Sequence, residues 1–410
     1  MTTESRVLSR SDWDAWLGCL EAAFGGVPIS PEGREMYAAL AEPDRSLGHW
    51  DGPECVATAG AYSFRVTVPG GRAVPAAGIS MVSVAATHRR RGLLTAMMRR
   101  QLDDIRSWGE PVAVLLASEP AIYGRFGYGA ATSETNLRID SSRVRVAVPA
   151  GTDAVRLRRL PPAEALGACE SVYGRLAASR PGTPLRQPGW ERVPVSDPES
   201  ARKGGSPLNC VLAERDGEVT GYVTYHVRPD WDDSGPRGTV AVRDLMALDP
   251  ASYAALWRFL FGIDLTSVVE CRNRPADDAV LRLVSDVRRC EVRSRDGLYV
   301  RLVDLGPALE ARSYRTPVDV VLEVEDAFCP WNAGRWRLTA DTEGVATCRR
   351  TQDRPEISLS VRELGSAYLG GVSLTTLAAA GLVRELRAGA LAGAALAFSS
   401  DTQPWCPHGF

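Results

Sequence analysis

Apolar positions change their period within one short stretch of this chain. Residues 78–84 run as a strand, and Leu94, Met98, Leu102 and Ile105 then recur at the spacing of one helix face. Between the two lies a turn carrying His88, Arg89, Arg90, Arg91 and Gly92. On the polar side of the helix Arg99 precedes Asp103, and Arg100 precedes Asp104, by four residues, the spacing of exposed ion pairs. Residues 111–118, PVAVLLAS, are a continuous apolar run of strand length, which predicts a strand buried on both faces. Strand, turn, helix and buried strand make a β-α-β unit. The expected fold class is therefore α/β, with ligands held beyond the carboxyl ends of the strands.

Flanking segments extend this picture. Residues 11–24 predict a helix with Ser11 or Asp12 as N-cap and Trp13, Trp16, Leu17, Leu20 and Phe24 near one side. Strands are predicted over 55–64 and 65–68, ended by the turn Pro69-Gly70-Gly71. The Arg- and Pro-rich residues 141–160 mark a boundary, 181–207 read as a loop, and 210–227 predict a hairpin around Asp216-Gly217. Residues 240–262 then repeat the strand–turn–helix order, followed by a strand-like run at 265–270. In this copy the turn is Leu248-Asp249-Pro250-Ala251, with an acid where the first copy has arginines. After Asp296-Gly297 strands are expected at 298–303, 319–324, 335–339, 345–349 and 357–361, and helices at 364–386 and 388–398. The division expected from these shifts is 1–148, 149–296 and 297–410.

Composition narrows the function classes. A chain of 410 residues with 45% hydrophobic and 24% charged positions has core enough for two or three domains. A formal charge of −2 offers no footprint for nucleic acid. Nine dispersed cysteines without a CxxC pair predict reduced thiols and a cytoplasmic setting, and four histidines without an HExxH or Cys/His cluster predict no metal site. The first residues lack the apolar core of a signal peptide, and the run 388–398 is too short to span a membrane.

Candidate chemistry begins at the turn. Amides of the first helical turn have no intrahelical acceptor and lie at the positive end of the helix dipole, so the basic turn 88–92 and the helix start it feeds are expected to cradle a diphosphate. Asp249 in the second copy would repel one, which predicts a degenerate repeat without cofactor. In 122–129, IYGRFGYG, Tyr123 is the candidate functional hydroxyl and Tyr128 is expected to pack. His88, within a basic run, is expected to face solvent or phosphate. Cys406 has no evident base beside it and is expected to be inert. The aromatic side with Trp13, Trp16 and Phe24 is expected to be core, with an aromatic wall facing an organic cation or sugar ring as the alternative and Glu21, Glu32, Glu35 or Asp51 as its possible carboxylates. The tail DTQPWCPHGF is stiffened by two prolines and a tryptophan, and its last carboxylate could reach an active site.

At residues 89–94, RRRGLL, the chain resembles the GNAT superfamily pattern Gln/Arg-x-x-Gly-x-Gly/Ala, departing from it at Leu94. The phrases VSVAATHRRRGLL and ASEPAIYGRFGYGAAT, the later VLEVEDAF and LGSAYLGG, and the final phenylalanine together resemble the enhanced intracellular survival (Eis) acetyltransferases. That resemblance runs along essentially the whole chain. It implies tandem GNAT folds, the first active and the second degenerate, followed by an α+β domain similar to sterol carrier proteins. The implied cosubstrate is acetyl-CoA, with Val82, Ser83 and Val84 on its pantetheine arm, Arg89, Arg90, Arg91, Gly92, Leu93, Leu94 and Thr95 around its pyrophosphate, and Ser118 and Glu119 at the strand end. Tyr123 is implied as general acid and the carboxylate of Phe410 as general base, a role that asks nothing of the last side chain. Trp13 and Phe24 match aromatic positions of the family's substrate pocket. The implied activity is direct N-acetylation of primary amines of polycationic substrates, aminoglycosides first, in a ternary complex, with a homohexamer as the implied assembly. Lysine side chains or polyamines are alternative acceptors, and the sterol-carrier-like part leaves a lipid-binding or scaffold protein as a reading of a different class.

Overall fold

Two neighbouring strands with a helix between them in sequence can run parallel only through a crossover. The structure of the chain, a computed structural model describing residues 3–233 and 235–410, builds its first unit on such a crossover. The strand Ala73–Val84 leads into helix Leu93–Ser107 and on to strand Val112–Leu116, which lies parallel to the first. The helix buries Leu93, Met97, Met98, Leu102 and Ile105, while Leu94, expected in the core, is half-buried. Arg100 makes the expected pair with Asp104, at 2.8 Å. Arg99 does not pair with Asp103: its Nη1 donates to the Phe328 carbonyl at 3.1 Å, and its guanidinium lies 4.4 Å from the Phe328 ring centre.

The sheet of this unit runs Glu4–Val7, Leu47–Asp51, Glu54–Thr67, Ala73–Val84, Val112–Leu116, Leu298–Leu302, Gly129–Ala130, with Pro184–Leu185 added to one end of Glu54–Thr67. Membership departs from the division expected at 148 and 297. Leu298–Leu302, buried along its whole length, completes the first sheet between Val112–Leu116 and Gly129–Ala130. Ser133–Asp140 lies in the second unit's sheet instead. The first unit thus comprises the chain up to Thr132, Arg180–Leu185 and Gly297–Phe410, and the second Ser133–Ser179 and Arg186–Asp296.

Within the first unit the C-terminal part adds a second sheet, Ala346–Arg350, Gly334–Ala340, Val318–Glu325, Ile357–Ser360, Val383–Glu385. It shares one apolar core with the first sheet, in which Val66, Val74, Val112 and Val300 meet Leu322, Leu338, Leu364 and Phe398. The single helix expected over 364–386 is broken. Val361–Ala367 ends before Gly370, whose φ of +85° is left-handed, Leu374–Ala379 follows, and Val383–Glu385 joins the sheet edge. Buried Arg312 ties these pieces together, donating to the carbonyls of Tyr368 at 2.5 Å and Phe398 at 2.8 Å.

The second unit repeats the arrangement. Its sheet runs Arg293–Asp296, Ser133–Asp140, Thr266–Pro275, Gly238–Ala247, Glu218–Arg228, Asn209–Arg215, Arg156–Leu160, and the parallel pair is Gly238–Ala247 with Thr266–Pro275. The predicted hairpin turns at Asp216 and Gly217, both with positive φ, as a type I′ turn requires. Helix Pro162–Ala177, absent from the expected elements although Ala165, Cys169, Val172 and Tyr173 recur at helical spacing, packs against this sheet. At the repeated turn Asp249 Oδ1 accepts from the amides of Ala251 at 2.9 Å and Ser252 at 3.0 Å, so the carboxylate occupies amides that a phosphate would need. Beyond Val242 and Cys271, where the parallel pairing stops, Arg274 donates to the Leu245 carbonyl at 2.7 Å and to Asp278 at 2.5 Å. A side chain bridges the gap that the first copy leaves open.

Burial opposes ionisation of Asp249, but the amide and hydroxyl donors of Ser252, the amide of Ala251 and the charge of Arg215 outweigh it and hold the carboxyl below its usual range. A depressed folded-state pKa stabilises above the unfolded value, near 3.9, and the contribution disappears as pH falls through the folded value. Asp249→Ala is expected to cost about 0.5–2 kcal/mol at neutral pH and less in acid, read by urea denaturation at pH 7 and pH 3. An equal loss at both pH values would contradict the cap.

Candidate active site

The site grows from the place where two parallel strands part. Ala73–Val84 pairs with Val112–Leu116 only from Ala76 to Ile79, so from Ser80 onward that edge of the strand is unpaired. A bulge lies there: the register against Glu54–Thr67 shifts between Thr58 and Gly60, and Met81 takes a φ of +52°. Fully buried Thr58 pins it, with Oγ1 2.7 Å from the Met81 carbonyl and 2.7 Å from Ser83 Oγ. Backbone amides on this open edge are free to pair with an extended ligand as an added strand would.

The basic turn follows. Arg90 and Gly92 have φ of +62° and +84°, and the helix begins at Leu93 with no side-chain cap. Its first internal bond here is Ala96 N–H to the Gly92 carbonyl, which leaves the amides of Leu93, Leu94 and Thr95 ahead of the ladder. A Cβ on Gly92 would meet nothing within 4 Å, so the approach is open. A cleft of about 600 Å3 runs along these features. Val82, Ser83 and Val84 form one wall, Arg89, Arg90, Gly92, Leu93, Leu94 and Thr95 the turn, and Ser118, Glu119 and Tyr123 the opposite side. Of the residues expected around the diphosphate, Arg91 alone is not on the lining; it is exposed. Ala23, Ile122 and Arg125 line the cleft without having been singled out for it, and His88, expected at solvent or phosphate, lines it too. Arg125 could have been suspected from its place two residues after Tyr123.

Tyr123 sits at the end of a short helical turn, Pro120–Tyr123, is 7% exposed, and meets the Tyr128 ring edge-on at 6.1 Å. Burial, and then the negative charge of Glu119, push its pKa above the ordinary tyrosine value. Tyr128 packs inside, 1% exposed, as expected. The glycines of this segment answer to the C-terminal part of the chain. A Cβ on Gly124 would lie 3.2 Å from Arg362 Cζ, one on Gly127 2.8 Å from Arg301 Cζ, and one on Gly129 2.0 Å from the Arg362 carbonyl. Gly127 also has a φ of +84°. Arg301, fully buried, is held by Asp326 at 2.9 and 2.7 Å, and Asn332 Nδ2 donates to the same carboxylate at 3.0 Å.

The tail ends beside the parting strands. Trp405 N–H donates to the Pro181 carbonyl at 2.8 Å, Thr183 Oγ1 to the Trp405 carbonyl at 3.0 Å, and Arg180 Nε to the Gln403 carbonyl at 3.1 Å. Residues 180–185 thus leave the loop expected over 181–207 to act as a strap for the tail. Ser80 Oγ donates to the Phe410 oxygen at 2.8 Å, and the Phe410 ring meets Phe64 edge-on at 5.1 Å. Gly78 makes room, since a Cβ there would lie 2.4 Å from Phe64 and 3.3 Å from Phe410. The last side chain is therefore seated rather than free to vary. Cys406 is buried, its thiol donating to the His408 carbonyl at 3.3 Å.

Several expectations change. Trp13 stacks on Trp16 at 5.5 Å and packs with Leu8, Trp50 and Cys55; it does not line the cleft, because the helix turns its ring toward that small core. Phe24 does line it and is 60% exposed. His88 is buried, not solvated, with Nε2 3.2 Å from Asp51, which removes Asp51 from the free carboxylates. Glu21 is bound by Arg34 at 2.5 Å and by the Ile29 amide at 2.8 Å. Among the described residues no helix is long and apolar enough to cross a membrane.

Comparison with known proteins fits this geometry. Residues 4–131 match the acetyltransferase (GNAT) domain model, 182–302 a second acetyltransferase (GNAT) domain model, and 305–407 the sterol carrier protein domain model. The chain is 67% identical over 410 residues to an uncharacterized N-acetyltransferase of Streptomyces avermitilis, covering 100% of both chains. It is 35% identical over 407 residues to the N-acetyltransferase Eis of Mycobacterium tuberculosis, covering 96% of each. The crystal structure of Eis1 from Mycobacterium abscessus superposes with a TM-score of 0.84 at 36% identity, over 100% of both chains.

Asp326→Ala would leave the Arg301 guanidinium buried and unpaired beneath Gly127. The expected loss is about 3–5 kcal/mol in chemical denaturation. A loss below about 1 kcal/mol, the scale of a surface pair, would contradict the assignment.

Proposed function

The chain belongs to the Eis family of GNAT N-acetyltransferases, and from that premise we propose that it acetylates primary amines of polycationic substrates, aminoglycosides first, by direct transfer from acetyl-CoA. One observation carries the catalytic part of the reading: an oxygen of Phe410 is held on the cofactor strand where its parallel partner departs. Taken as the chain terminus, that residue offers a carboxylate, the one group needed to turn an ammonium into a nucleophile.

The cleft suits acetyl-CoA. The open edge from Ser80 to Val84 fits a pantetheine arm, the amides of Leu93 to Thr95 with Arg89 and Arg90 fit a diphosphate, and Ser118 and Glu119 lie where the strands have separated. Bound there, acetyl-CoA supplies an activated acetyl thioester. A strand amide can polarise its carbonyl. The Phe410 carboxylate takes a proton from the substrate amine, directly or through one water, and the Tyr123 hydroxyl gives a proton to the departing sulfur. The raised pKa of Tyr123 keeps that proton in place through neutral pH. Phe24, exposed on the cleft, is the aromatic contact proposed first for the substrate, with Trp13 second. Assembly as a hexamer belongs to the same reading and is checked by light scattering.

Tyr123→Phe and deletion of Phe410 are each expected to lower kcat by about 100-fold or more while acetyl-CoA affinity, read by isothermal titration, stays near wild type. The deletion leaves a carboxylate on Gly409, one residue short. Wild-type turnover by the truncated enzyme would contradict the terminal base. Activity should fall in acid as the carboxylate protonates, and Tyr123 should add no alkaline limb below about pH 10. Acetyl-transfer assays over aminoglycosides, lysine peptides and polyamines decide the acceptor, and no turnover of any aminoglycoside would overturn that choice.

A further inference from the structure

We propose that Ser80 is the positioning residue of the terminal carboxylate, fixing which of its two oxygens faces the substrate amine; this rests on the reading of Phe410 as base. A carboxylate at a chain end turns freely about its last bond, and both oxygens then compete for the same proton. Here two contacts fix it. The Phe410 ring is seated against Phe64 over Gly78, which places the α-carbon, and the Ser80 hydroxyl donates to one oxygen at 2.8 Å, which sets the rotation. The second oxygen is left for the amine.

Ser80 is itself well placed for this task. It is the first residue beyond the last parallel pair, Ile79 with Leu115, and it still pairs with Gly60 on its other side, so its backbone is held while its neighbour Met81 bulges. Thr58 locks that bulge from the buried side. Ser80 and Gly78 are two residues apart on one strand, so their side-chain positions share a face: one lacks a Cβ to admit the ring, and the other carries the hydroxyl that meets the carboxylate. A hydroxyl suits the place because it donates one hydrogen bond without adding a charge beside the base.

The test is a double-mutant cycle of Ser80→Ala with deletion of Phe410, reading kcat and the KM for acetyl-CoA. In the full-length enzyme Ser80→Ala should lower kcat by about 10- to 100-fold, the scale of a misplaced reacting group, with the KM for acetyl-CoA unchanged. In the truncated enzyme the same substitution should change kcat by less than about twofold, because the group it acts through has gone. Ser80→Thr, which keeps the hydroxyl on a strand-favouring side chain, should recover most of the activity and shows that the fold tolerates change there. Equal losses in both backgrounds would assign Ser80 a structural role and overturn this inference while leaving the terminal base intact. No loss in the full-length enzyme, or a threonine variant as poor as alanine despite an unchanged melting curve, would also overturn it. Wild-type turnover after deletion of Phe410 would remove the base and Ser80's task together.

Discussion

The site depends on one departure from regular pairing. Strands Ala73–Val84 and Val112–Leu116 are bonded over four residue pairs and then separate, because the first bulges at Met81 while the second ends at Leu116. Where two neighbouring strands of a sheet part, the backbone groups of the exposed edge have no strand partner. Such an edge suits a ligand able to pair with it, and the same gap admits the tail. Thr58, fully buried, lends its hydroxyl to Met81 and Ser83 and so keeps the bulge from relaxing into regular pairing. The second unit shows the contrast. There Arg274 reaches the Leu245 carbonyl where the parallel strands part and Asp249 caps the helix, so the strand end and the helix start are both engaged by side chains.

The C-terminal part does more than carry a tail. Leu298–Leu302 completes the first sheet, Arg301 on that strand lies under Gly127, and Arg362 lies against Gly124 and Gly129. The segment holding Tyr123 is thereby shaped from below by residues far along the chain. Its glycines have a packing cause, since a Cβ at Gly127 or Gly129 would collide with these neighbours. The acid and the base of the proposed mechanism therefore rest on the same C-terminal part. Arg301 and Arg362 of that part pack against the glycines of the Tyr123 segment, and its tail ends at Ser80.

Local chemistry was readable where it is local. The period change over 78–105 revealed the crossover unit, the basic turn marked the helix start, and Asp216-Gly217 and Asp249 did in the structure what their side chains and backbone preferences imply. The resemblance to Eis proteins pointed to tandem acetyltransferase folds and a sterol-carrier-like part, and the family comparisons bear this out. Long-range choices were hidden. Nothing in the alternation of Ser133–Asp140 says which sheet it will join, and Leu298–Leu302 reads equally well as the start of a new domain or the end of an old one. Trp13 and Phe24 share a helical pattern, yet only the surrounding core decides that one ring stacks on Trp16 and the other faces the cleft. Ser80 gave no signal at all, because its partner lies 330 residues away.

A crystal structure of the full chain with coenzyme A and an aminoglycoside tests the central claim most directly. The account predicts the diphosphate on the amides of Leu93, Leu94 and Thr95, the pantetheine along the edge from Ser80 to Val84, and an amine of the substrate within hydrogen-bond reach of the Phe410 carboxylate, whose other oxygen stays on Ser80. A complex in which the tail has left the parting strands, with the substrate amine far from Phe410, would contradict it.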